Sequence, residues 1–513
     1  MPKKKTELTI DEVFTWLDTA SGREKQRLLG KLSFSMDGDP RVRKVIGKDI
    51  QSNIEKIKIR PVCPSCGSTI IIKKGFKNNG LQRFQCTDCN RKFTSVTDTF
   101  LEKTKVSWGV WVEIIHHMLL GISIKRSKES LSEEYGLKGI RQSTIYHLRM
   151  KVMNAAAYVP MPELVGVIET DETGFHEAQK GRAPLIDPID PTTTRDARKR
   201  AEASAYGALG PEFGTALCAV DHTGHVVIKY KGVGATTVDE FEGLIGPYIK
   251  NVSILCSDNN NIYSSYCAKH HIVHYIRPSN YVETIKKAKK NKTSLSLLYR
   301  SEKLDYIVGT RMERLPYEEF RKIKKENNLS LSSVNGLHSR LKASLKSAAH
   351  GVDTKNLDKY LAWQCFIENY RADYGNAPTT WKDAENILIE LIKVKKNITL
   401  EEIRSTRPDF TTLNQHFQKR LIEKTKAVSK KKKSNSKTYL GPDDISVDSN
   451  IREHLQNLPV YKLVYLARKL KIPGRSHIKK DRTWAAVTAM ERHPDLKNAL
   501  DDMSAHFEDG KEE

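Results

Sequence analysis

The sequence predicts a multidomain α+β protein. Three observations support this: the chain's length, a cysteine-rich module that interrupts helical sequence, and a change of apolar period near residue 160. At about 150 residues per domain, 513 residues correspond to three or four domains. The 86 Lys and Arg against 62 Asp and Glu leave a net charge of +24, with a pI near 9.5. The natural partner is therefore a polyanion, and nucleic acid is the first candidate. Mean hydropathy is −0.53, and no stretch approaches the roughly 20 apolar residues that span a bilayer, so no membrane partner is expected. The opening MPKKKTELTIDEVF is basic but has no apolar run behind it, so it does not read as a secretory signal, and a cytoplasmic location is expected. Eight cysteines in a chain of this length are too sparse for a disulfide scaffold and are expected as thiols or metal ligands.

Residues 1–60 read as a helical extension, with Thr9 as the cap of TIDEVFTWLDTA and acids in the first turn. Residues 61–100 hold Cys63-Pro-Ser-Cys66 and Cys86-Thr-Asp-Cys89, two C-x2-C turns separated by 19 residues. That spacing lies in the zinc-ribbon window, so four thiolates should close a tetrahedral site on one structural zinc, with no position open to a substrate. Lys73, Lys74, Arg83, Arg91 and Lys92 interleave with Phe84 and Phe93, which suits phosphate contact. Residues 105–157 show helical spacing in three pieces, punctuated by Gly121, Gly136 and Gly139. This suits a helix-turn-helix whose third piece brings Arg141, Gln142, Ser143 and Thr144 to a major groove. An ordinary three-helix bundle has the same periodicity; the adjoining ribbon and the net charge favour DNA.

From residue 164 the period shortens. LVGVIETDE reads as a strand ending in acids, FGTALCAVDHTGHVVIKYKGV as two strands around a His222-Thr223-Gly224 turn, and VDEFEGLIGPYIK as a helix. NVSILCSD, IYSSYCAKH and HIVHYIRP follow as strand, short helix and strand, which argues an α/β domain with a mixed sheet over 160–375. Within it, residues 175–204 are polar and rich in Pro and Thr and read as a mobile loop. Residues 376–445 read as a helical segment with a basic linker, 446–500 as a small helical module and 501–513 as an acidic tail. Cys218, Cys256, Cys267 and Cys365 lie in apolar patterns and should behave as small hydrophobes. Asp171 and Asp258 each end an apolar strand. Singly, each reads as a solvated strand end. On neighbouring strands, however, two carboxylates can share magnesium or manganese, and a pair of such ions activates a water or hydroxyl and stabilises the leaving oxygen of a phosphodiester.

That order of modules, together with CPSCGS, LQRFQCTDCNRKFT, ETDET and CSDNNNIYSSY, resembles the zinc-ribbon insertion-sequence transposases of the ISXO type, over residues 61 to about 372. The resemblance implies a ribonuclease-H-like catalytic domain with a DDE triad on divalent metal, its first two aspartates falling on Asp171 and Asp258. The third carboxylate of that family follows the pattern N-x-x-E in a helix. Here the stretch is VNGLHSRLK, in which Asn335 matches and His338 stands in the place of Glu. His338 is then expected to fill the third coordination position, with Asn335 one turn before it on the same face, and the site should favour manganese, which accepts imidazole more readily than magnesium does. LPVYKLVYLARKLKIPGRSHIKKDRTWAAVTAM resembles SAP and Rho-N-like modules, with Arg475, Lys479 and Lys480 among the phosphate contacts. The implied activity is that of a DNA transposase that binds transposon ends on double-stranded DNA and joins them to target DNA, as a homodimer or larger. The alternatives are a domesticated sequence-specific DNA-binding protein that keeps the sheet as scaffold, and a nuclease of the same fold without strand transfer.

Overall fold

The computed structural model describes residues 10–35, 40–58, 60–180, 184–196, 210–278, 302–308, 311–348, 351–410, 449–470, 490 and 493–508. Thr9, Arg475, Lys479 and Lys480 lie outside them. The chain divides into two compact units, residues 1–418 and 419–513.

The first unit opens with three helices, α1 (Ile10–Thr19), α2 (Gly22–Ser35) and α3 (Pro40–Ile57). An antiparallel three-stranded sheet follows, made of β1 (Ile71–Phe76), β2 (Gln82–Cys86) and β3 (Lys92–Thr94). Then come α4 (Trp108–Leu119), α5 (Ile124–Glu134) and α6 (Gln142–Ala156). Helix α4 is buried continuously from Trp108 to His117, with its one carboxylate, Glu113, paired to Arg23 of α2 (2.7 Å). It sits at the centre of a core shared with Ile50 and Ile54 of α3, Leu131 of α5, and Leu148 and Met150 of α6.

The large sheet begins with β4 (Leu164–His176); after a separate two-stranded hairpin of β5 (Leu185–Ile186) and β6 (Thr194–Arg195), it runs through β7 (Phe213–Asp221) and β8 (Val226–Val233). Helix α7 (Val238–Leu244), β9 (Ile249–Ser257), α8 (Asn261–His270), β10 (Val273–Ile276), β11 (Lys303–Val308) and β12 (Arg311–Arg314) complete it. The strand order is β12-β11-β10-β9-β4-β7-β8. Strands β4, β9 and β10 are parallel, and the outer pairs are antiparallel. Period-two alternation sends Ala216, Cys218 and Val220 to one face and Leu217 and Ala219 to the other. The first face packs on α9 (Tyr317–Glu326), α10 (Ser332–Ala343) and α11 (Leu357–Tyr374), and the second on α7 and α8.

Several expectations need correction. The strand at LVGVIETDE runs on to His176, and the stretch expected as a loop contains β5 and β6. There the Gln179 side chain bonds both backbone groups of Ile186 (2.7 and 3.0 Å), imitating a strand partner. The helix expected over VDEFEGLIGPYIK stops at Leu244; Gly246-Pro247-Tyr248 forms a 3₁₀ turn and Ile249 starts β9, because Pro247 cannot extend the α-helical ladder. Beyond residue 376, α12 (Trp381–Lys393) joins the α4 core through Ala384, Ile387, Leu388, Leu391 and Ile392, and α13 (Leu400–Ser405) adds Ile403.

The second unit contains α14 (Ser449–Asn457), α15 (Val460–Lys469) and α16 (Leu496–Glu508) around Leu455, Leu463, Leu466, Ala499 and Met503. The stretch expected as an acidic tail is thus helical as far as Glu508. Its apolar residues recur at helical spacing, and Asp502 accepts from Tyr465 Oη (3.0 Å) and pairs with Lys469. Among the described residues no helix is long and apolar enough to cross a membrane.

Candidate functional site

The two cysteine turns meet as their spacing requires. Cys63 Sγ lies 3.5 Å from Cys89 Sγ and Cys66 Sγ 3.6 Å from Cys86 Sγ, and all four sulfurs fall within 4.8 Å of one another. A tetrahedron with Zn–S bonds of 2.3 Å has edges of about 3.8 Å, so the quartet could hold one structural zinc. Phe84 and Phe93 are buried behind it, with ring centroids 5.6 Å apart. They form the module's core rather than a nucleic-acid surface, whereas Lys73, Lys74, Arg83, Arg91 and Lys92 are exposed. Cys218, Cys256, Cys267 and Cys365 are buried free thiols.

At the start of α6, Arg141, Gln142, Ser143 and Thr144 are all exposed, whereas Ile145, Leu148 and Met150 are buried. The helix therefore offers its first turn to solvent and gives the rest to the core.

Asp171 does not end its strand. It sits within β4 opposite Cys218 of β7, and the strand that ends at its level is β9. The parallel register pairs Glu169 with Cys256, so two residues further on Asp171 stands level with Asp258, the residue after β9. Burial pushes the Asp171 carboxyl up to about 7, with repulsion from Asp258 and Glu172 adding to it and Lys342 pulling the other way. Burial also raises Asp258 and Glu172. Each aspartate has one oxygen occupied locally: Asp171 Oδ1 accepts from Glu172 N (2.8 Å) and Asp258 Oδ1 from Asn260 N (2.9 Å).

Helix α10 runs beside β4, and a residue that sequence reasoning missed fixes it there. Leu331, which precedes α10, cannot cap it with a side chain. Glu169, 1% exposed, does so from the sheet, accepting from Val334 N (3.0 Å) and Ser330 Oγ (2.9 Å). Two residues along β4 rise about 6.7 Å, and four along a helix about 6 Å. If Val334 is held at Glu169, His338 is therefore delivered to Asp171. His338 Nδ1 lies 3.8 Å from Asp171 Oδ2, and Nε2 is buried without a hydrogen-bond partner. Burial pulls the ring down to about 4, so it is neutral at ordinary pH. Asn335, expected on the same face, is exposed, and its amide donates to the Leu331 carbonyl. The sheet-facing phase of α10 is set instead by Val334, Leu337, His338 and Leu341. Among the described residues, the cysteine quartet is the one set of three or more Cys, His, Asp or Glu whose ligand atoms all lie within 4.8 Å. Asp171, Asp258 and His338 are gathered more openly.

No protein-family model matches the chain. Over 121 residues, 23% of its length, the chain is 30% identical to an uncharacterized protein in transposable element ISH50 of Halobacterium salinarum, and the match spans 38% of that relative.

Proposed function

We propose that this chain is a DDE-type DNA transposase that recognises the ends of an insertion sequence and cuts and joins DNA strands with divalent metal at Asp171 and Asp258. The observation that carries the reading is the level placement of two half-buried carboxyls, one within β4 and one just after the adjacent parallel strand β9, each raised by partial burial, with an imidazole 3.8 Å from one of them. The mixed sheet with helices on both faces supports the ribonuclease-H-like assignment of residues 160–375. The association of the similar halobacterial protein with a transposable element supports the biological setting.

The donor set fits a hard divalent cation. Two carboxyls held above their usual range gain most from a nearby positive charge, and the orphaned Nε2 of His338 offers a nitrogen. Asp171, Asp258 and His338 would hold the cation, which when bound supplies the Lewis acidity that activates a water or 3′-hydroxyl and stabilises the leaving oxygen. The chain's own side chains do the positioning. Asp171 is fixed by the ladder of β4 and Asp258 by the turn after β9, where it accepts from Asn260 N, and Glu169 holds α10 so that the neutral His338 ring stays against Asp171. Arg141, Gln142, Ser143 and Thr144 face the major groove of duplex DNA, and the exposed lysines and arginines of the cysteine module meet phosphates. Pairing two ends requires at least a dimer.

A second reading, a sequence-specific DNA-binding protein without catalysis, is favoured by two observations: His338 adds no negative charge, and the three donors are less tightly gathered than the cysteines. Incubation of end-labelled element ends with the protein and Mn²⁺ or Mg²⁺ separates the two. Transposition predicts Mn²⁺-dependent nicking that Asp171→Asn and Asp258→Asn abolish without loss of binding. Binding with no nicking in either metal establishes the second reading instead.

A further inference from the structure

Away from the aspartates, α6 holds a buried charge that no carboxylate among the described residues pairs with. Arg149 is 8% exposed. Its Nη2 donates to the Ile122 carbonyl (2.9 Å), its Nε is buried with no hydrogen-bond partner, and among the described residues it has no carboxylate partner. A guanidinium does not shed its proton to escape such a place. Burial nonetheless pulls it down to about 10, so the free protein keeps this charge at a cost in stability.

Arg149 lines a cleft of about 630 Å³ between the start of α6 and the turn at 351–356. Lys125, Lys180 and Lys355 also line it, against a single acid, Asp353, whose carboxylate accepts from the Lys355 backbone N–H (3.3 Å). Asn356, 2% exposed, donates Nδ2 to Tyr146 Oη (2.9 Å), while its Oδ1 is buried without a partner. Tyr146, Tyr360 and Trp363 bring aromatic rings to the same walls. The cleft thus combines excess positive charge, a buried donor without an acceptor, a buried acceptor without a donor, and flat apolar faces. One ligand class answers all four: an anionic phosphate attached to a planar base that carries N–H donors.

We propose that this cleft is a nucleotide-binding site in which Arg149 takes a phosphate and the Asn356–Tyr146 pair receives the base. The nucleotide unit belongs to a DNA strand or is a free nucleotide, and the chemistry of recognition is the same for both. Gln142, in the exposed first turn of α6, also lines the cleft, so a strand lying along that turn would pass its mouth.

The test uses the full-length protein with inorganic phosphate, thymidine monophosphate and a fluorescent 12-nucleotide single strand as probes. Arg149→Met keeps the volume and removes the unpaired charge. It is expected to melt no lower than wild type, to bind the strand at least tenfold more weakly and with a salt slope smaller by about one, and to lose any rise in melting temperature that phosphate or thymidine monophosphate gives wild type. Protection of wild type by the mononucleotide identifies a free nucleotide as ligand; weakened strand binding without that protection identifies the strand. Equal behaviour of wild type and Arg149→Met towards all three probes overturns the proposal. A second measurement does not depend on that variant's folding: probe binding should quench a part of the tryptophan emission that Trp363→Phe lacks, and unchanged emission with every probe also overturns it. None of these readouts is strand cleavage, so the site stands or falls separately from the transposase reading.

Discussion

Removing Glu169 tests how the candidate site is held together. Its carboxylate accepts two hydrogen bonds, from Val334 N and Ser330 Oγ, and α10 has no side-chain cap of its own. A hydrogen bond to a charged group contributes about 1.5–3 kcal/mol, and a buried donor left unsatisfied costs about as much again. Allowing for non-additivity, Glu169→Ala should weaken the docking of α10 by about 3 kcal/mol or more, whereas Glu169→Gln, which keeps one acceptor, should cost about half that. At 1.4 kcal/mol per factor of ten, opening of the first turns of α10 becomes roughly 100-fold more frequent. Native-state hydrogen exchange read by mass spectrometry on peptides covering 332–343 should show that loss of protection, with peptides covering 61–97 unchanged as the internal control. Metal-dependent nicking should fall in parallel, since His338 is placed only while Val334 is anchored. Unchanged exchange in 332–343, or an equal rise in both regions, would refute the idea that Glu169 positions this helix.

Three further outcomes follow from the geometry. Metal analysis should find one zinc per chain, lost from a Cys63→Ser, Cys86→Ser protein and retained when Cys218, Cys256, Cys267 or Cys365 is replaced by Ala. In EDTA, Asp171→Asn should melt above wild type because it removes a half-buried carboxylate that Asp258 repels, and Mn²⁺ should raise the melting temperature of wild type but not of the variant. His274 is fully buried against Ser257 Oγ (2.7 Å), and burial pulls its ring down to about 3. Below the unfolded value near 6.5 only the unfolded chain takes up the proton, so stability is complete above that pH and falls by about 1.4 kcal/mol per unit on acidification towards 3; unfolding curves of His274→Gln should be flatter over pH 6.5–4 than those of wild type.

The parts of this molecule that sequence reveals are those whose chemistry is local. Two C-x2-C turns bring their own ligands together, so Cys63, Cys66, Cys86 and Cys89 could be named from spacing alone. The alternation in FGTALCAVD fixes which residues face which layer, and the pairing of Asp171 with Asp258 needed only that their strands be neighbours. Residues whose role depends on a distant partner were not legible. Glu169 lies in a strand beside two other acids, and the pattern gives no reason to bury it; the only hint is 165 residues away, in a helix that begins after a leucine and so lacks a cap. The N-x-x-H spacing put Asn335 and His338 one turn apart, but three residues turn a helix by 300° rather than a full circle, and the apolar neighbours Val334, Leu337 and Leu341 settle which of the two faces the sheet. The stretch from 376 onward has a clear apolar stripe, yet its destination, α4, lies far back in the sequence.

Helix α11 gives the proposed function its most specific geometric consequence. Leu357, Leu361 and Cys365, spaced by four, face the core of the large sheet, while Trp363 and Tyr370 face the core built around α4 and α6. Arg340, one turn before the end of α10, grips Glu368 of α11 through Nε and Nη2, both at 2.9 Å. The exposed first turn of α6 and the helix that carries His338 are therefore joined through one packed rod rather than through a linker, and a packed interior does not stretch to accommodate a misplaced substrate. If Arg141 to Thr144 read the element's end and Asp171 and Asp258 cut it, the cut must fall at a fixed distance from the sequence read. Inserting five base pairs between that sequence and the cleavage position turns the scissile phosphate to the far side of a duplex that repeats every 10–10.5 base pairs. Nicking should then fall to background, while binding to the end, measured by gel shift, stays within about twofold. Cleavage that persists at its original position in the DNA after the insertion would show that the reader and the aspartates move independently, and that α11 does not set the distance between them.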